Sequence, residues 1–556
     1  MRMEKQRFKT SFAENIFRNK YAQGPGDSWD ALAERVVEDV CGSRWGTQPI
    51  LMSDDERKEL TQAIKEMKFL PGGRYLYYAG RPYKAYNNCY LLRAEEDTRE
   101  EWSNVTWRSM SCLMTGGGIG IDYSRLRPSG RVLSRTGGKA SGPLPLMSAI
   151  NEIGRNVMQG GSRRSAIYAS LHHSHEDTPL FLTVKDWHNL PAGATGASLW
   201  DLKQADFNFP APLDMTNISV NYDETAGKDL WDNEIYRKNV KQALMTGEPG
   251  FSFNYGDKIN ETLRNACTEV TSEDDSDVCN LGSINMGAVD TIDEFTKLVH
   301  LGSKFLVCGT IRADLPYDKV YKVREKNRRL GLGLMGMHEW LLKRKLPYVV
   351  GTELRNWLKV YKSESEKAAR EHCDRFYLSH PVAFRAIAPT GTIGILAATT
   401  TGIEPLYAVA YKRRFLTDGT KWKYQFVVDA TAQQLIGEYG LNPDKIETAS
   451  DLAANPEQRI RFQADVQDYV DMSISSTINL PSWGSAENNE DMVESFGRTL
   501  AKYAPRLRGF TCYPDGSRGG QPITKVSYED AMHHKNTVFE ENDICDITGK
   551  GGSCGV

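Results

Sequence analysis

The chain of 556 residues lacks several features that would fix its class at once. No apolar run comes near the roughly 18 residues that a membrane-spanning helix requires. The charged start Met1-Arg2-Met3-Glu4-Lys5-Gln6-Arg7 leads into no apolar stretch, so no secretory signal is expected there. Basic residues are not in excess: 69 Lys and Arg stand against 72 Asp and Glu, a net charge of −3. That balance offers no footprint for nucleic acid or an anionic membrane. Low-complexity stretches and clean internal repeats are also missing. None of the ten cysteines forms a CxxC pair, so a zinc ribbon is not expected and no metal site is read. The expectation is a cytoplasmic protein, whose cysteines are more often buried, redox-active or ligands than structural disulfides.

What remains is a globular composition, 40% hydrophobic and 25% charged, long enough for one large α/β body. Ser28 is placed to cap a helix whose apolar positions Trp29, Leu32, Val36, Val37 and Val40 have helical spacing, with Gly42 closing it. A second helix from about Asp54 carries Leu60, Ile64 and Met67 on one face and stops before Pro71. These make a helical N-terminal region, residues 1–86. From 87 to 525 short apolar segments alternate with helical ones, the pattern of an α/β fold. Residues 526–556 end in a glycine-rich stretch holding Cys545 and Cys554 and are expected to form a flexible tail. Two thiols there fit a swinging dithiol that exchanges with another disulfide.

The segment Arg264-Asn265-Ala266-Cys267-Thr268-Glu269 carries the most chemistry. If it is extended, Asn265, Cys267 and Glu269 share one face, because strand side chains alternate. An amide, a thiol and a carboxylate together suit one-electron work on a substrate hydroxyl. Cys89, after Asn87-Asn88, and Cys279, before Asn280-Leu281-Gly282, each begin an apolar segment expected as a strand. Each alone reads as a core thiol; a close pair would deliver two electrons and become a disulfide. The glycine-rich stretches at Thr115–Gly120, Gln159–Gly161 and Arg328–Gly333 read as tight turns, and none is a Walker loop. Pro389-Thr390-Gly391-Thr392-Ile393 is a better anion site, since hydroxyls and free amides meet at a strand-to-helix turn.

Taken together these segments resemble the catalytic subunit of ribonucleotide reductase over nearly the whole chain. The resemblance rests on Asn87-Asn88-Cys89, Gly116–Gly120, Gln159–Gly161, Gly247–Gly250, Asn265-x-Cys267-x-Glu269, Cys279–Asn285, Asn327–Gly331, Pro389–Thr392 and Gly402–Pro405. It implies a ten-stranded α/β barrel of two parallel halves, with a finger loop bearing the radical cysteine at its centre. Cys267 would become a thiyl radical, Glu269 would accept the 3′-hydroxyl proton, and Asn265 would hold the sugar hydroxyls. Cys89 and Cys279 would supply the electrons and end as a disulfide. Asn88, Gly118, Pro389, Thr390, Gly391, Thr392 and Ile393 would bind the substrate. Cys545 and Cys554 would reduce the barrel disulfide, refreshed by a thioredoxin-like protein; their spacing is wider than the family's usual tail pair.

The resemblance is strongest to the adenosylcobalamin-dependent branch. Oxygen-dependent members have adjacent tyrosines on a late barrel strand, whereas Phe510-Thr511-Cys512-Tyr513 has a single tyrosine. The glycyl motif of the anaerobic branch is absent. Ala266 replaces a proline common in cobalamin-dependent members, and Pro191 rules out a corrin-binding motif at Asp186-Trp187-His188. The alternatives are a diverged catalytic subunit whose radical comes from a separate dimetal subunit and, remotely, a non-catalytic nucleotide-binding regulator. Fewer than ninety residues precede Cys89, so no ATP-cone is expected. Residues 127–143 resemble the effector loop of dimeric members, which implies a homodimer. A deoxynucleoside triphosphate would bind at Glu96, Asp97, Arg131, Arg135 and Lys139.

Overall fold

The computed structural model describes residues 7–43, 46, 48–158, 165–192, 196–206, 209–417, 421–517, 523–534 and 537–540. In chain order its strands are β1 (Phe69–Pro71), β2 (Cys89–Arg93), β3 (Gly118–Asp122), β4 (Ile167–His172), β5 (Thr216–Tyr222), β6 (Gly250–Phe253), β7 (Leu263–Arg264), β8 (Thr271–Ser272), β9 (Asp277–Asn285), β10 (Leu330–Met335), β11 (Ala410–Thr417), β12 (Lys421–Val428), β13 (Thr477–Leu480), β14 (Gly509–Pro514), β15 (Ile523–Lys525) and β16 (Val538–Glu540). Ten of them join in one sheet.

Strands β2 to β6 run parallel in chain order. β9 and β10 are parallel, as are β13 and β14. Parallel bridges Leu332↔Arg385 and Ile387↔Ile474 carry the pairing from β10 to the segment that becomes β13. The two parallel sets meet antiparallel at β2–β9 and β6–β14. This is the ten-stranded α/β barrel of two parallel halves. Strands covered on both faces are mostly apolar, and β2, β3, β9 and β10 are buried along their full length, with the buried polar residues Asp277 and Asn280 on β9.

The glycine stretches at 118–120 and 331–333, expected as turns, are strand residues. Gly331 lies where a Cβ would sit 2.9 Å from the Asn280 carbonyl oxygen, so it allows β10 to lie close on β9. The N-terminal helices form as expected. Ser28 Oγ accepts from Ala31 N at 3.1 Å, and Ser53 with Glu56 forms a capping box on helix Asp54–Lys65. The N-terminal region also gives the barrel a strand, since β1 pairs with the far end of β9. Outside the barrel, helix Ile292–Arg312 packs on β9 and β10 and against helix Thr352–Arg375. A second, antiparallel sheet runs β15-β11-β12-β16. The start of the segment expected as a tail thus forms helix Tyr528–His533 and β16, which pairs with the edge of β12. Among the described residues no helix is long and apolar enough to cross a membrane.

Candidate active site

The segment expected as an extended strand is the tip of a hairpin. β7 and β8 pair antiparallel, Arg264 opposite Thr271. Between them Thr268 has φ +68° and its N–H donates to Asn265 O at 3.0 Å. Asn265 Oδ1 accepts from Val270 N at 2.9 Å. An asparagine that bonds nearby backbone favours a turn over an extended chain, which accounts for the difference. The trio therefore shares no strand face. Asn265 and Glu269 turn inward and are buried, while Cys267 is exposed at the tip.

Two glycines on one face of β3 make room for this finger. A Cβ on Gly120 would lie 1.8 Å from the Arg264 carbonyl oxygen, and one on Gly118 would lie 3.2 Å from Ala266 Cβ. Gly120→Ala must therefore push the finger away from the barrel wall. We expect a loss of about 1–3 kcal/mol in stability, as for other overpacked sites, with activity falling further than stability explains. Thermal unfolding beside a turnover assay checks this; wild-type activity would show that the finger is not held by that contact.

The finger is fixed at its base by buried ion pairs and hydrogen bonds. Arg264 Nη2 donates to Asn254 Oδ1 at 2.7 Å and to Arg508 O at 3.1 Å. Glu261 accepts from Arg508 at 3.0 Å and from Thr271 Oγ1 at 2.6 Å, so it ties β14 to the hairpin's second leg. Near the tip, Asn217 Nδ2 donates to Ala266 O at 3.2 Å and Ser473 N to Glu269 O at 2.8 Å.

Inside the barrel, Cys89 on β2 is directly opposite Cys279 on β9. The two cysteines, separated by nearly two hundred residues, become cross-strand neighbours because the parallel halves meet there. Asn265 Nδ2 is 2.8 Å from Cys89 Sγ, and the Cys89 thiol reaches Glu269 Oε1 at 4.0 Å. Burial raises both thiols, with Glu269 adding to the effect on Cys89 and Asp277 on Cys279. Both stay protonated at neutral pH, which suits hydrogen donation better than attack by a thiolate. Burial also lifts Glu269, from 4.5 to about 7, against the opposing hydrogen bond from Asn265. Its Oε2 is buried without a partner, as is Asn88 Oδ1 beside Cys89. An orphaned carboxylate oxygen near the thiol pair fits a ligand that donates a hydroxyl hydrogen.

Pro389-Thr390-Gly391-Thr392 opens helix Gly391–Ala397 as expected, with Thr390 at φ +52°. Thr390 Oγ1 accepts from Gly402 N at 2.9 Å, which joins this turn to the 399–405 segment. Gly391 is open to solvent and Ile393 is buried.

The expected effector residues divide. A cleft of about 500 Å³ is lined by Asp97, Arg125, Arg127 and Arg131, among others, but not by Glu96, Arg135 or Lys139. Arg127 already pairs with Asp97, and Arg131 with Glu176 at 2.7 Å. Cys545, Cys554 and Gln159–Gly161 lie outside the described residues. The sequence reading gave no role to Gly120, Arg264, Asn217 or Ser473. For Gly120 the signal was present: glycines alternating with Ile119 and Ile121 mark a strand face approached by other backbone.

Residues 87–200, 216–358 and 369–500 match the family described as "Ribonucleotide reductase, barrel domain". The chain belongs to the ribonucleotide reductase family. This reductase is similar to the "Vitamin B12-dependent ribonucleoside-diphosphate reductase" of Mycobacterium tuberculosis (strain CDC 1551 / Oshkosh), 26% identical over 95% of this chain and 82% of that one. It is also similar to the "Putative adenosylcobalamin-dependent ribonucleoside-triphosphate reductase" of Mycobacterium phage D29, 25% identical over 93% of this chain and 95% of that one. Its fold matches the Actinobacillus ureae class Id ribonucleotide reductase alpha subunit at 16% identity and a TM-score of 0.69, covering 91% of this chain and 97% of that one. The reductase is an enzyme that converts ribonucleotides to 2′-deoxyribonucleotides.

Proposed function

We infer that this reductase works by a thiyl radical at Cys267, started by adenosylcobalamin. The carrying observation is the finger, which holds Cys267 exposed above the buried pair Cys89 and Cys279. The cofactor rests on the names of the relatives and on β14. There Thr511, Cys512 and Tyr513 follow one another, so no two tyrosines are adjacent, and Cys512 Sγ points to Ala243 O at 3.7 Å. The residues fit a donor that comes from outside: Cys267 is exposed, and Thr268 beside it is half-buried. When bound, adenosylcobalamin supplies the one-electron oxidant for the thiol, held by the residues around Cys267 and Thr268.

The chain's own groups do the rest. Cys267 takes the substrate's 3′ hydrogen. Glu269 takes the proton of the 3′-hydroxyl, and Asn265 with Asn88 holds the sugar hydroxyls beside Gly118. The 2′-hydroxyl leaves as water on a proton from one thiol of the pair and the other thiol's hydrogen goes to C2′, so the two sulfurs end as the Cys89–Cys279 disulfide. Cys267 then returns the 3′ hydrogen and is a thiyl radical again. The first amides of helix Gly391–Ala397, from Gly391, Thr392 and Ile393, together with Pro389 and Thr390, receive the phosphates. Cys545 and Cys554 then exchange with the barrel disulfide and are reduced by a thioredoxin-like protein of the cytoplasm. The test is incubation with a ribonucleotide and dithiothreitol, with and without adenosylcobalamin. Product only with the cofactor is expected; product only with a separate dimetal subunit would overturn the assignment.

Glu269 must be ionised to accept a proton. Since it titrates at about 7, kcat/KM should rise as pH climbs through that value. Glu269→Gln should remove the rise and cut kcat by about 10²–10⁴-fold, the usual worth of a positioned base. Stability has the opposite sign. The folded value lies above the ordinary 4.5, so stabilisation from burying the acid is complete below 4.5 and lost as pH rises through about 7. Thermal melts across that window should show the loss in the wild type and not in Glu269→Gln.

The cleft lined by Asp97, Arg125, Arg127 and Arg131 suits the triphosphate of a deoxynucleotide effector. On helix Arg99–Met114, Trp107 and Met114 are 56% and 55% exposed, and Met158, past the end of helix Leu144–Asn156, is 58% exposed. Large apolar side chains left in water there favour a homodimer. Sedimentation should give a dimer with effector bound; monomer at micromolar protein with every effector would contradict it.

A further inference from the structure

Among the described residues, one group of three metal-binding side chains comes together: His172, His173 and Asp223. His172 ends β4, and Asp223 directly follows β5, the next parallel strand. Cys89 begins β2 in the same parallel half, so the group lies at the opposite end of these strands from the thiol pair. The reduction of the substrate uses none of the three. His172 Nε2 is 3.2 Å from Asp223 Oδ2, and His173 Nε2 is 3.6 Å from Asp223 Oδ1. All three donor atoms lie within 4.8 Å of one another. We propose that His172, His173 and Asp223 bind a divalent transition cation of the zinc class, with a water from the neighbouring cleft completing its ligands.

Zinc bonds to imidazole and carboxylate are about 2.1 Å long, so two ligands of one tetrahedral ion lie about 3.4 Å apart. The two His–Asp separations fall on either side of that value. An ordinary Asp–His pair needs one imidazole; here two converge on one carboxylate, their ring centroids 4.3 Å apart. Imidazole ligands favour zinc-class cations over calcium and magnesium, which prefer oxygen. His172 Nδ1 is 2.8 Å from Ser174 Oγ, which accepts the Nδ1 proton once Nε2 holds the cation. Thr225 N donates to Asp223 Oδ1 at 2.9 Å and fixes the carboxylate.

The cleft wall supplies a second, independent observation. His172 and Asn221 both line the cleft of about 500 Å³, which gives the ion a way in. They are register partners on adjacent strands, so their side chains share one sheet face. Asn221 is 1% exposed; its Nδ2 donates to Ser170 Oγ at 3.2 Å, but its Oδ1 has no partner. A water held by the cation would donate the missing hydrogen bond. The arginines of the cleft do not bar a cation, since Arg125 pairs with Glu95, Arg127 with Asp97 and Arg131 with Glu176.

The experiment strips the full-length chain with a chelator and, without cobalamin, titrates it with cobalt(II), whose spectrum reports its ligands. One equivalent should give the visible bands of four-coordinate cobalt without the near-ultraviolet band of a cobalt thiolate. The missing thiolate band separates this site from the ten cysteines. Zinc should displace the cobalt and raise the melting temperature of the wild type. His172→Gln and Asp223→Asn should each lose that equivalent at micromolar metal. His172 is half-buried, so His172→Gln should melt like the wild type in chelator and gain nothing from zinc. A wild-type chain that binds cobalt only through thiolates, or not at all, would overturn the proposal. So would an unchanged thiolate-free equivalent in folded His172→Gln.

Discussion

Cys267→Ser is expected to end deoxyribonucleotide formation, with a fall of at least about 10⁴-fold in kcat/KM, or ~5 kcal/mol of lost transition-state stabilisation. Oxygen holds its hydrogen more strongly than sulfur does, so a serine hydroxyl cannot act as a reversible radical carrier. The fold has no reason to change. Cys267 is exposed at the tip of the finger, and the contacts that hold the finger run through Arg264, Glu261 and Asn265. Substitutions at such positions usually stay within about 0.5 kcal/mol. A turnover assay with a melting curve separates the two effects. Measurable product from a folded Cys267→Ser chain would remove this residue from its role.

Cys89→Ser and Cys279→Ser should each reduce turnover by at least about 10³-fold, because either change leaves one thiol where two electrons are needed. Unlike the tip, these positions are buried and face each other across two strands. A hydroxyl placed there loses about 1–3 kcal/mol if it finds no partner. Asn265 remains beside position 89 and the Asn280 carbonyl beside position 279 to offer one, so both variants should stay folded. Dithiothreitol should rescue neither variant, since it replaces the tail and not the barrel pair. More than a tenth of wild-type activity in either would show that the electrons enter elsewhere.

The barrel was legible because parallel strands buried on both faces are nearly continuous apolar runs, as at Tyr90–Leu92 and Leu330–Met335. Cys267, Glu269 and Asn265 stood out by residue type. Their arrangement was not legible, since alternation assumes an extended chain and the Asn265 side chain closes a turn instead. The opposition of Cys89 and Cys279 depends on where the two halves of the barrel meet, which no local pattern records. Gly118 and Gly120 looked like turn residues because glycine marks both turns and close approaches. Of the residues expected at an effector, Asp97 and Arg131 line one cleft together with Arg125 and Arg127, and Glu96, Arg135 and Lys139 do not.

The central claim is that the barrel pair itself supplies the two electrons, and one single-turnover measurement tests it directly. A prereduced chain carrying Cys545→Ser and Cys554→Ser is given ribonucleotide and adenosylcobalamin without reductant, then unfolded, alkylated and mapped. One deoxyribonucleotide per chain with an equal amount of Cys89–Cys279 disulfide is the predicted result. Product formed while Cys89 and Cys279 both remain alkylatable would contradict it.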